Sequence, residues 1–336
     1  KEKVFFSFSA TIHDQHSFYG TIPYNGKQKI GFTQLVWDKQ AGASHSLLTG
    51  LAGRYNYYDD NSTATIDTLT GKNVPDQYIL PGLFFQDEWK LNSKQLLLVG
   101  MRYDHHPLHK GIFTPRLAWK WSIKENQVFR LNAGTGFRVV SLFTEEHAAL
   151  TGAREVEIRE TLKPEKSYNM NLNYTWFRKW KNIYLNVDAS AWYSHFTNQI
   201  IPDYDTDPNK IIYKNLDGFA SSKGMAFNIE MNSNHRFKSL IGLTIQDVQK
   251  TEKNDQGQKI KQQPVLTEKW SGTWVISYTF PAAAITIDYT GNIYGPMRLP
   301  LLSATDPRPG HSKIWSIQNI QFSTLLSRKI ELFTGL

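Results

Sequence analysis

The sequence predicts an all-β fold, an antiparallel transmembrane β-barrel to which this chain contributes about 15 strands. Three observations support this prediction: apolar and polar residues alternate, the alternating segments are long, and the connections between them are short and long in turn. An aromatic content of 13% with a mean hydropathy of −0.45 suits a wall that is apolar on one side and wet on the other. We interpret all 336 residues as one domain, a part of such a barrel.

The alternation is strictest in residues 168–176. Every second residue there is apolar or aromatic, and the residues between them are three asparagines and a threonine. A strand with one apolar and one wet face requires this period of two, and no helical period fits it. The same pattern recurs in residues 116–123, 129–138, 227–232 and 285–293, so the chain reads as a series of strands.

The alternating segments number about 15, with ends defined to within ~2 to 4 residues. Most are as long as the roughly nine to eleven residues of a tilted membrane-spanning strand, and longer than the roughly five or six typical of soluble proteins. The predicted strands are 3–13, 27–38, 44–58, 78–91, 95–104, 113–123, 127–137, 167–177, 182–197, 223–233, 237–249, 269–280, 284–294, 313–325 and 329–335.

The connections alternate in length along the whole chain. Short connections are predicted at 39–43, 92–94, 124–126, 178–181, 234–236, 281–283 and 326–328, and long ones at 14–26, 59–77, 105–112, 138–166, 198–222, 250–268 and 295–312. Outer-membrane barrels have short periplasmic turns and long extracellular loops. We therefore expect every odd strand of the series to run outward.

Several classes of protein are disfavoured by composition and motifs. The chain has no cysteine, so it forms no disulfide and no cysteine-based metal or catalytic site. Its net charge of +8 is scattered, with no clustered stripe or binding module for nucleic acid. No nucleophile elbow, zinc-enzyme pattern or phosphate loop occurs, so we expect neither catalysis nor a cofactor.

Residues 114–169 contain a recognisable pattern. Thr114-Pro115-Arg116 begins a strand, Gly134-Thr135-Gly136-Phe137-Arg138 ends one, and Leu162-Lys163-Pro164-Glu165-Lys166-Ser167-Tyr168-Asn169 begins the next after a long loop. This arrangement resembles the barrel of TonB-dependent receptors, in which an "FR" strand end and an "LKPE-S" strand start bracket an extracellular loop. Residues 200–204, 215–218 and 295–300 are similar to a branch of that family found in Bacteroidetes.

The resemblance implies a barrel of about 22 strands around an N-terminal plug, with the plug, the first strands and the final strand absent from this chain. It also implies a bacterial outer-membrane receptor that imports a ferric siderophore, cobalamin, haem or a metal chelate with energy from TonB. The implied partners are TonB, acting through the plug, the nutrient, and the lipid bilayer with its lipopolysaccharide. The resemblance leaves open a surface lipoprotein as an additional partner. A passive porin-like channel and, more remotely, a secreted β-rich binding protein are the competing functions.

Candidate ligand-binding residues concentrate in the predicted loop 138–166. They are His147, Glu145, Glu146, Arg154 and Arg159, with Tyr204 and Tyr213 from the loop 198–222. Arginine suits bidentate contact with the carboxylates or phosphates of a chelate, and the tyrosines could stack on a planar ligand. The alternative is that the charged residues are solvated and the aromatic residues belong to an interfacial girdle.

Two further sets of residues have a predicted role. His105, His106, His109 and His147 form a candidate set of metal or haem ligands, because neutral imidazole binds transition metals. Ordinary solvated loop histidines are the alternative. The second set is predicted to line a wet lumen, where it contacts the plug or forms a translocation path: Arg116, Arg130, Arg138, Asn169, Asn171 and Asp188.

Overall fold

The computed structural model describes residues 2–62, 65–66, 70–139, 155–158, 160–200, 202–203, 206–207, 209–233, 236–253, 257–300, 307–327 and 330–336. The strands within these ranges are β1 (Glu2–Tyr19), β2 (Ile22–Ala41), β3 (His45–Asp60), β4 (Asp76–Lys90), β5 (Gln95–His106), β6 (Lys110–Lys124), β7 (Gln127–Arg138), β8 (Glu155–Ile158), β9 (Glu165–Trp180), β10 (Ile183–Asn198), β11 (Lys210–Tyr213), β12 (Gly218–Ser233), β13 (Phe237–Lys253), β14 (Lys259–Gln262), β15 (Trp270–Phe280), β16 (Ile285–Tyr294), β17 (Trp315–Ser327) and β18 (Ile330–Gly335). No helix occurs in the described ranges, and accordingly none that could cross a membrane.

One antiparallel sheet contains the fifteen long strands in an uninterrupted meander. Its order is β1-β2-β3-β4-β5-β6-β7-β9-β10-β12-β13-β15-β16-β17-β18, so each strand pairs with the next long strand along the chain. These fifteen strands correspond one to one with the predicted set, which confirms the all-β antiparallel prediction. The three short strands were not predicted, and each lies within a long connection: β8 pairs in parallel with β11, and β14 pairs with β13.

The register places one row of apolar residues across nine consecutive long strands. From β4 to β15 the paired residues are Trp89, Leu97, Trp119, Leu131, Leu172, Ala191, Met225, Ile245 and Trp270. The neighbouring row on the opposite face mixes polar residues with a few apolar ones: Glu88, Leu98, Ala118, Asn132, Asn171, Trp192, Gly224 and Gln246. Because successive side chains alternate between faces, the sheet has one apolar and one mainly polar face, as the predicted membrane wall requires.

The core is small, and it lies away from the apolar face. Large side chains on that face are open, such as Ile241 at 52% and Ile245 at 54% exposure, whereas buried apolar residues cluster near the ends with long connections. These buried residues are Tyr24, Ala52, Tyr58, Ile112, Ile200, Ile211, Ile212, Tyr213, Leu216, Ala220 and Met297. An apolar sheet face left open is consistent with a wall whose solvent is lipid.

Two predicted long loops are wrong, because the strands continue through them. Residues 14–26 form the paired ends of β1 and β2, joined by a two-residue turn at Gly20 and Thr21, in which Gly20 adopts a φ of 66°. Residues 105–112 form the tip of the β5–β6 hairpin, with only 107–109 outside the strands. The polar and turn-forming residues of these segments resembled a loop, but a single left-handed glycine is sufficient to reverse the first hairpin.

The opposite ends of the strands match the prediction closely. Connections at 42–44, 91–94, 125–126, 181–182 and 281–284 are all short and lie at one end of the sheet. The left-handed backbone of Gly42, Lys181 and Ala284 reverses the chain within these turns. We call this the short-turn end and the other the outer end. The prediction of short links at this end is therefore confirmed, whereas the links at the outer end are long except in the β1–β2 and β5–β6 hairpins.

Candidate functional site

The polar face has a hydrogen-bonded network that joins β7, β9 and β10. Arg130 Nη1 donates to Asn173 Oδ1 and to Thr175 Oγ1, both at 3.2 Å. Asn173 Nδ2 and Thr175 Oγ1 in turn donate to Asp188 Oδ2, at 2.8 and 3.1 Å. The Asp188 carboxylate is therefore bound on the same side of the sheet as the Arg130 guanidinium, and both are only partly buried.

Arg116 lies along the polar face and spans three strands. Its two partners in register are glycines, Gly100 on β5 and Gly134 on β7. A Cβ added to Gly100 would lie 3.0 Å from both Cγ and Nε of Arg116, so the arginine covers that glycine closely. The Arg116 Nη2 group reaches β4 and donates to Gln86 Oε1.

A second arginine on this face is held by a buried carboxylate. Arg102 Nε and Nη2 donate to the two oxygens of Asp104 at 2.7 and 2.6 Å, a bidentate pair. Asp104 is completely buried, and Gly82 of β4 lies opposite it in register, where a Cβ would collide with the carboxylate. Asp104 therefore depends on a glycine neighbour, as Arg116 does.

The outer end of β7 and β9 is closed by a charged contact. Arg138 Nε donates to Glu165 Oε2 at 2.8 Å, and Glu165 Oε1 accepts the backbone N–H of Ile200 at 2.9 Å. The Glu165 side chain is 8% exposed, whereas that of Arg138 is 50% exposed. Glu165 thus connects an arginine that borders the predicted ligand loop to the segment that follows β10.

The segments before β9 and after β10 are tied together, and we call these tied segments the outer junction, formed by 155–165 and 198–216. Asn215 is its hub: its Oδ1 accepts Lys163 N at 2.8 Å, its Nδ2 donates to Thr161 O at 3.0 Å, and its backbone N–H donates to Glu160 Oε1 at 2.9 Å. These hydrogen bonds lower the pKa of Glu160 below its usual value. Asn198 Nδ2 adds contacts to Lys163 O and Pro164 O, both at 3.1 Å.

The parallel pair β8–β11 continues the outer junction. Lys210 Nζ lies 2.9 Å from Glu157 Oε2, and Ile211, Ile212 and Tyr213 are buried at 3%, 1% and 1% exposure. Tyr213, predicted to stack on a ligand, is buried at this position, and its ligand contact stays a prediction. The other predicted ligand-contact residues, His147, Glu145, Glu146, Arg154, Arg159 and Tyr204, lie outside the described residues, and their roles stay predictions.

The predicted lumen residues share the polar face. Asn132 pairs with Asn171 and Gly134 with Asn169, in the same series of positions that includes Arg116 and Arg130. Arg138 pairs with Glu165 at the outer end of that series, and Asp188 pairs with Thr175. All six are thus brought to one surface, although Arg138 and Asp188 belong to different polar clusters.

The predicted metal-ligating histidines meet only in part. At the tip of the β5–β6 hairpin the ring centroids of His106 and His109 stack at 4.5 Å, and the ring centroid of Tyr78 also lies 4.5 Å from that of His106. His105 lies on the opposite face from His106, because the two are consecutive residues of a strand. Within the described part of the chain, no three histidine, aspartate or glutamate side chains converge as a metal site would require.

His106 has a specific tautomer in this structure. Its Nδ1 accepts the backbone N–H groups of Leu108 at 3.2 Å and His109 at 3.3 Å, so the proton of the neutral ring lies on Nε2. A metal-bound histidine normally donates its second ring N–H to an acceptor, which is the reverse of this arrangement. Burial, followed by the charges of His109 and His105, lowers the pKa of His106. His106 therefore acts here as a neutral acceptor that stabilises the turn.

The comparisons with known proteins agree with this geometry. The family model described as TonB dependent receptor-like, beta-barrel, matches residues 3–312. The chain belongs to this family. TonB-dependent receptor barrels are outer-membrane proteins of Gram-negative bacteria, and they are transport receptors and not enzymes, which confirms the predicted location and the predicted lack of catalysis.

Solved structures of TonB-dependent receptors share the fold at low sequence identity. A mutant of the ferric enterobactin receptor PfeA from Pseudomonas aeruginosa superposes with a TM-score of 0.70 at 15% identity, over 99% of this chain and 53% of that one. The FrpB iron transporter from Neisseria meningitidis gives 0.69 at 12%, over 96% and 54%. The siderophore receptor PirA from Acinetobacter baumannii gives 0.70 at 10%, over 99% and 55%.

This TonB-dependent receptor barrel spans about half the length of the structures that it matches. No curated protein sequence matches it. The likeness to the Bacteroidetes branch is not addressed by these matches and stays a prediction.

Among the polar residues of the barrel, sequence reasoning missed Asp104 and Asn215 as organising side chains. The signal available for Asp104 was Gly82 in an otherwise regular strand, which indicates close approach of a neighbouring side chain. No such local signal marked Asn215.

Proposed function

We propose that the chain is part of an outer-membrane receptor that captures an iron chelate, a ferric siderophore in the first place, and imports it with energy from TonB. The proposal is supported by one observation above others. Four arginines, Arg102, Arg116, Arg130 and Arg138, lie on the polar face of three consecutive strands, and each guanidinium is fixed by a hydrogen-bonding partner.

Fixed guanidinium groups suit oxygen-rich anionic chelates. Arginine stays charged at any physiological pH and presents a planar set of donors to carboxylate or catecholate oxygens. Because Asn173, Thr175 and Gln86 hold these side chains without neutralising them, Arg116 and Arg130 keep their positive charge available to the lumen. The names of the structural neighbours, a ferric enterobactin receptor, an iron transporter and a siderophore receptor, point to the same class of cargo.

The test uses cells that express the complete receptor, with and without functional TonB. Ferric enterobactin, haem and cobalamin are each supplied in labelled form, and surface binding is measured separately from uptake. We expect saturable binding of the ferric siderophore without TonB, and uptake only with it. Uptake that rises in proportion to concentration and ignores TonB would instead identify a passive porin-like channel. Release of the protein itself into the culture medium would instead identify a secreted binding protein.

Substitutions in the predicted ligand loop separate the remaining cargoes. For an anionic siderophore, Arg154→Ala should weaken binding at least about tenfold, since a charged hydrogen bond is worth about 1.5 to 3 kcal/mol, while His147→Ala changes little. Haem or a bare metal would give the opposite order. Lys72→Ala, in another outer connection, is the control. Unchanged affinity for every cargo after deletion of residues 142–160 would exclude this loop from binding.

A further inference from the structure

A basic concavity lies on the polar face at the short-turn end of β9, β10, β12 and β13. Its volume is about 970 Å³, and its lining includes the cationic side chains of Lys179, Lys181, Arg236 and Lys238. The lining also contains Tyr184, Asn232 and one carboxylate, Glu230. This set of residues, which we call the basic mouth, contributes nothing to the arginine series or to the outer junction described above.

The register shows which way the basic mouth faces. Lys179 pairs with Tyr184, Tyr184 with Asn232, and Asn232 with Lys238, so these four residues form one row across four strands. Residues separated by an even number of positions in a strand point to the same face. Lys179 is separated in this way from Asn173 on β9, and Tyr184 from Asp188 on β10. The row therefore belongs to the polar face, at its periplasmic limit in the expected orientation.

No carboxylate among the described residues neutralises the four cations of the basic mouth through an ion pair. All four are exposed. The carboxylate of Glu230 instead accepts a hydrogen bond from Asn232 at 2.9 Å. Four like charges around one concavity repel each other, and a bound anion relieves that repulsion. The charge is also local, since the short connection at 281–284 has the sequence Pro-Ala-Ala-Ala.

The size and the aromatic content of the basic mouth favour a small molecule. A volume of about 970 Å³ is within the range of small-molecule sites, roughly 300 to 1,000 Å³. The Tyr184 ring is 36% exposed and lies 6.4 Å from the ring of Phe177, which provides an apolar surface beside the cations. Amide, aromatic and cationic groups together match a compact anion with planar, oxygen-bearing groups.

We infer that the basic mouth is an exit-side binding site for the anionic chelate as it leaves the lumen toward the periplasm. This inference rests on the proposed function for the identity of the cargo. The outer arginines attract the anion at entry, and the basic mouth offers it a second favourable position at the far end of the same face. Because the cations are exposed, the attraction falls as the ionic strength rises.

The first test compares two double variants of the complete receptor in cells. K179Q/K238Q removes two charges from the basic mouth. The control K90Q/K120Q removes two exposed lysines from the polar face of β4 and β6, where Lys90 and Lys120 lie in one row with Leu96 of β5. With labelled ferric enterobactin, K179Q/K238Q should slow uptake about three- to tenfold without changing surface binding. The effect is modest because each exposed charge contributes only weakly to the binding of an anion. The control should change neither. Uptake by K179Q/K238Q at the wild-type rate overturns the inference.

The second test does not depend on the cargo. The chain has no cysteine of its own, so Asn182→Cys places a fluorescent label in the lining of the basic mouth of the purified complete receptor. Citrate, a small polyanion, should produce a saturable change in fluorescence whose midpoint rises about tenfold in K179Q/K238Q but not in K90Q/K120Q. No saturable response to citrate, or a response to a polyglutamate peptide alone, overturns the exit site. If citrate binds but ferric enterobactin is neither bound nor imported, the cargo assignment fails and the anion site stands.

Discussion

Arg116 covers Gly100 on the neighbouring strand, and its guanidinium reaches one strand further to Gln86. The glycine leaves room for the arginine, since a Cβ at that position would lie 3.0 Å from two atoms of its side chain. Gly134 is on the other side of Arg116, so the longest side chain of this row lies between the two smallest residues. The direction of one cation in the lumen is thus set by the absence of side chains on both neighbours.

Gly100→Val should displace Arg116 and break its hydrogen bond to Gln86. We expect a loss of about 1 to 3 kcal/mol in the free energy of unfolding, the usual cost of overpacking. Gly31→Val is the matched control, because the atom nearest to an added Cβ there is 3.7 Å away, at ordinary contact distance. Denaturant titration in lipid vesicles measures both. Equal stability of the two variants would mean that Arg116 moves aside without cost.

Leu172→Arg and Asn171→Arg place the same charge on opposite faces of β9. The arginine at 172 should impair folding into vesicles by about 2 to 4 kcal/mol, because its charge faces hydrocarbon near the middle of the wall. The arginine at 171 joins the polar row with Asn132 and should cost less than half as much. Equal losses at both positions would contradict the assignment of the faces.

Glu165→Gln should loosen the outer junction. The substitution removes the charge that holds Arg138 and weakens the acceptor for the Ile200 N–H, so we expect a loss of about 1 to 3 kcal/mol in local stability. Hydrogen exchange at the Ile200 amide is the measurement. Glu157→Gln, which removes a partly exposed ion pair with Lys210, is the control and should change protection by less than about 1 kcal/mol. A larger effect from the control would locate the junction's stability in β8–β11.

The β5–β6 hairpin tip should open in acid. Burial lowers the pKa of His106 from its ordinary value of 6.5, so the folded tip favours the neutral ring. The sign follows from linkage: stability is fully present above pH 6.5 and is lost as the pH falls from 6.5 toward the lowered pKa. Protonation places a hydrogen on Nδ1, which then repels the amide donors of Leu108 and His109.

The rings of Tyr78 from β4 and of His109 from the same hairpin contact His106. The charge of His105 also acts on His106 from the opposite face, and Asp76 of β4 and Lys166 of β9 act on His109. Protection factors at the amides of Leu108 and His109 should fall by up to about tenfold per pH unit below 6.5. His105→Gln should keep this dependence, and His106→Gln should weaken it, with the remainder due to His109, whose pKa is also lowered by burial. Protection that does not vary with pH in the unsubstituted protein would show that the ring stays neutral throughout.

The sequence predicted the strands and the two faces of the sheet well, because apolar and polar residues alternate in a strand that faces lipid on one side and water on the other. Residues such as Asn171 and Leu172 reveal their faces from their nearest neighbours in the chain, and a meander pairs each strand with the next. The outer hairpins were less predictable. Polar residues between Asp14 and Gly26 indicate a loop, yet the backbone of β1 and β2 continues its ladder regardless of what the side chains contact.

The site was less predictable than the wall for a related reason. Asn215 organises the outer junction through partners about fifty positions earlier in the chain, and no local pattern contains that distance. His106 appeared to be a metal ligand from its residue type, whereas the turn at 107–109 determines which ring nitrogen is free. Residue type identified His106 as a candidate but not Asn215, and in both cases the backbone decided the role of the side chain.

The nearest-neighbour order of the meander limits how such a chain can diverge. Inserting one residue within a strand exchanges its two faces and disturbs the strand beside it, so single insertions there should be eliminated by selection. An insertion of any length between Asp60 and Asp76 changes no register, because that segment lies beyond the ladder. Natural relatives of this barrel should therefore vary in length almost entirely at the outer end, which allows a lineage to acquire a new nutrient while it inherits the same wall.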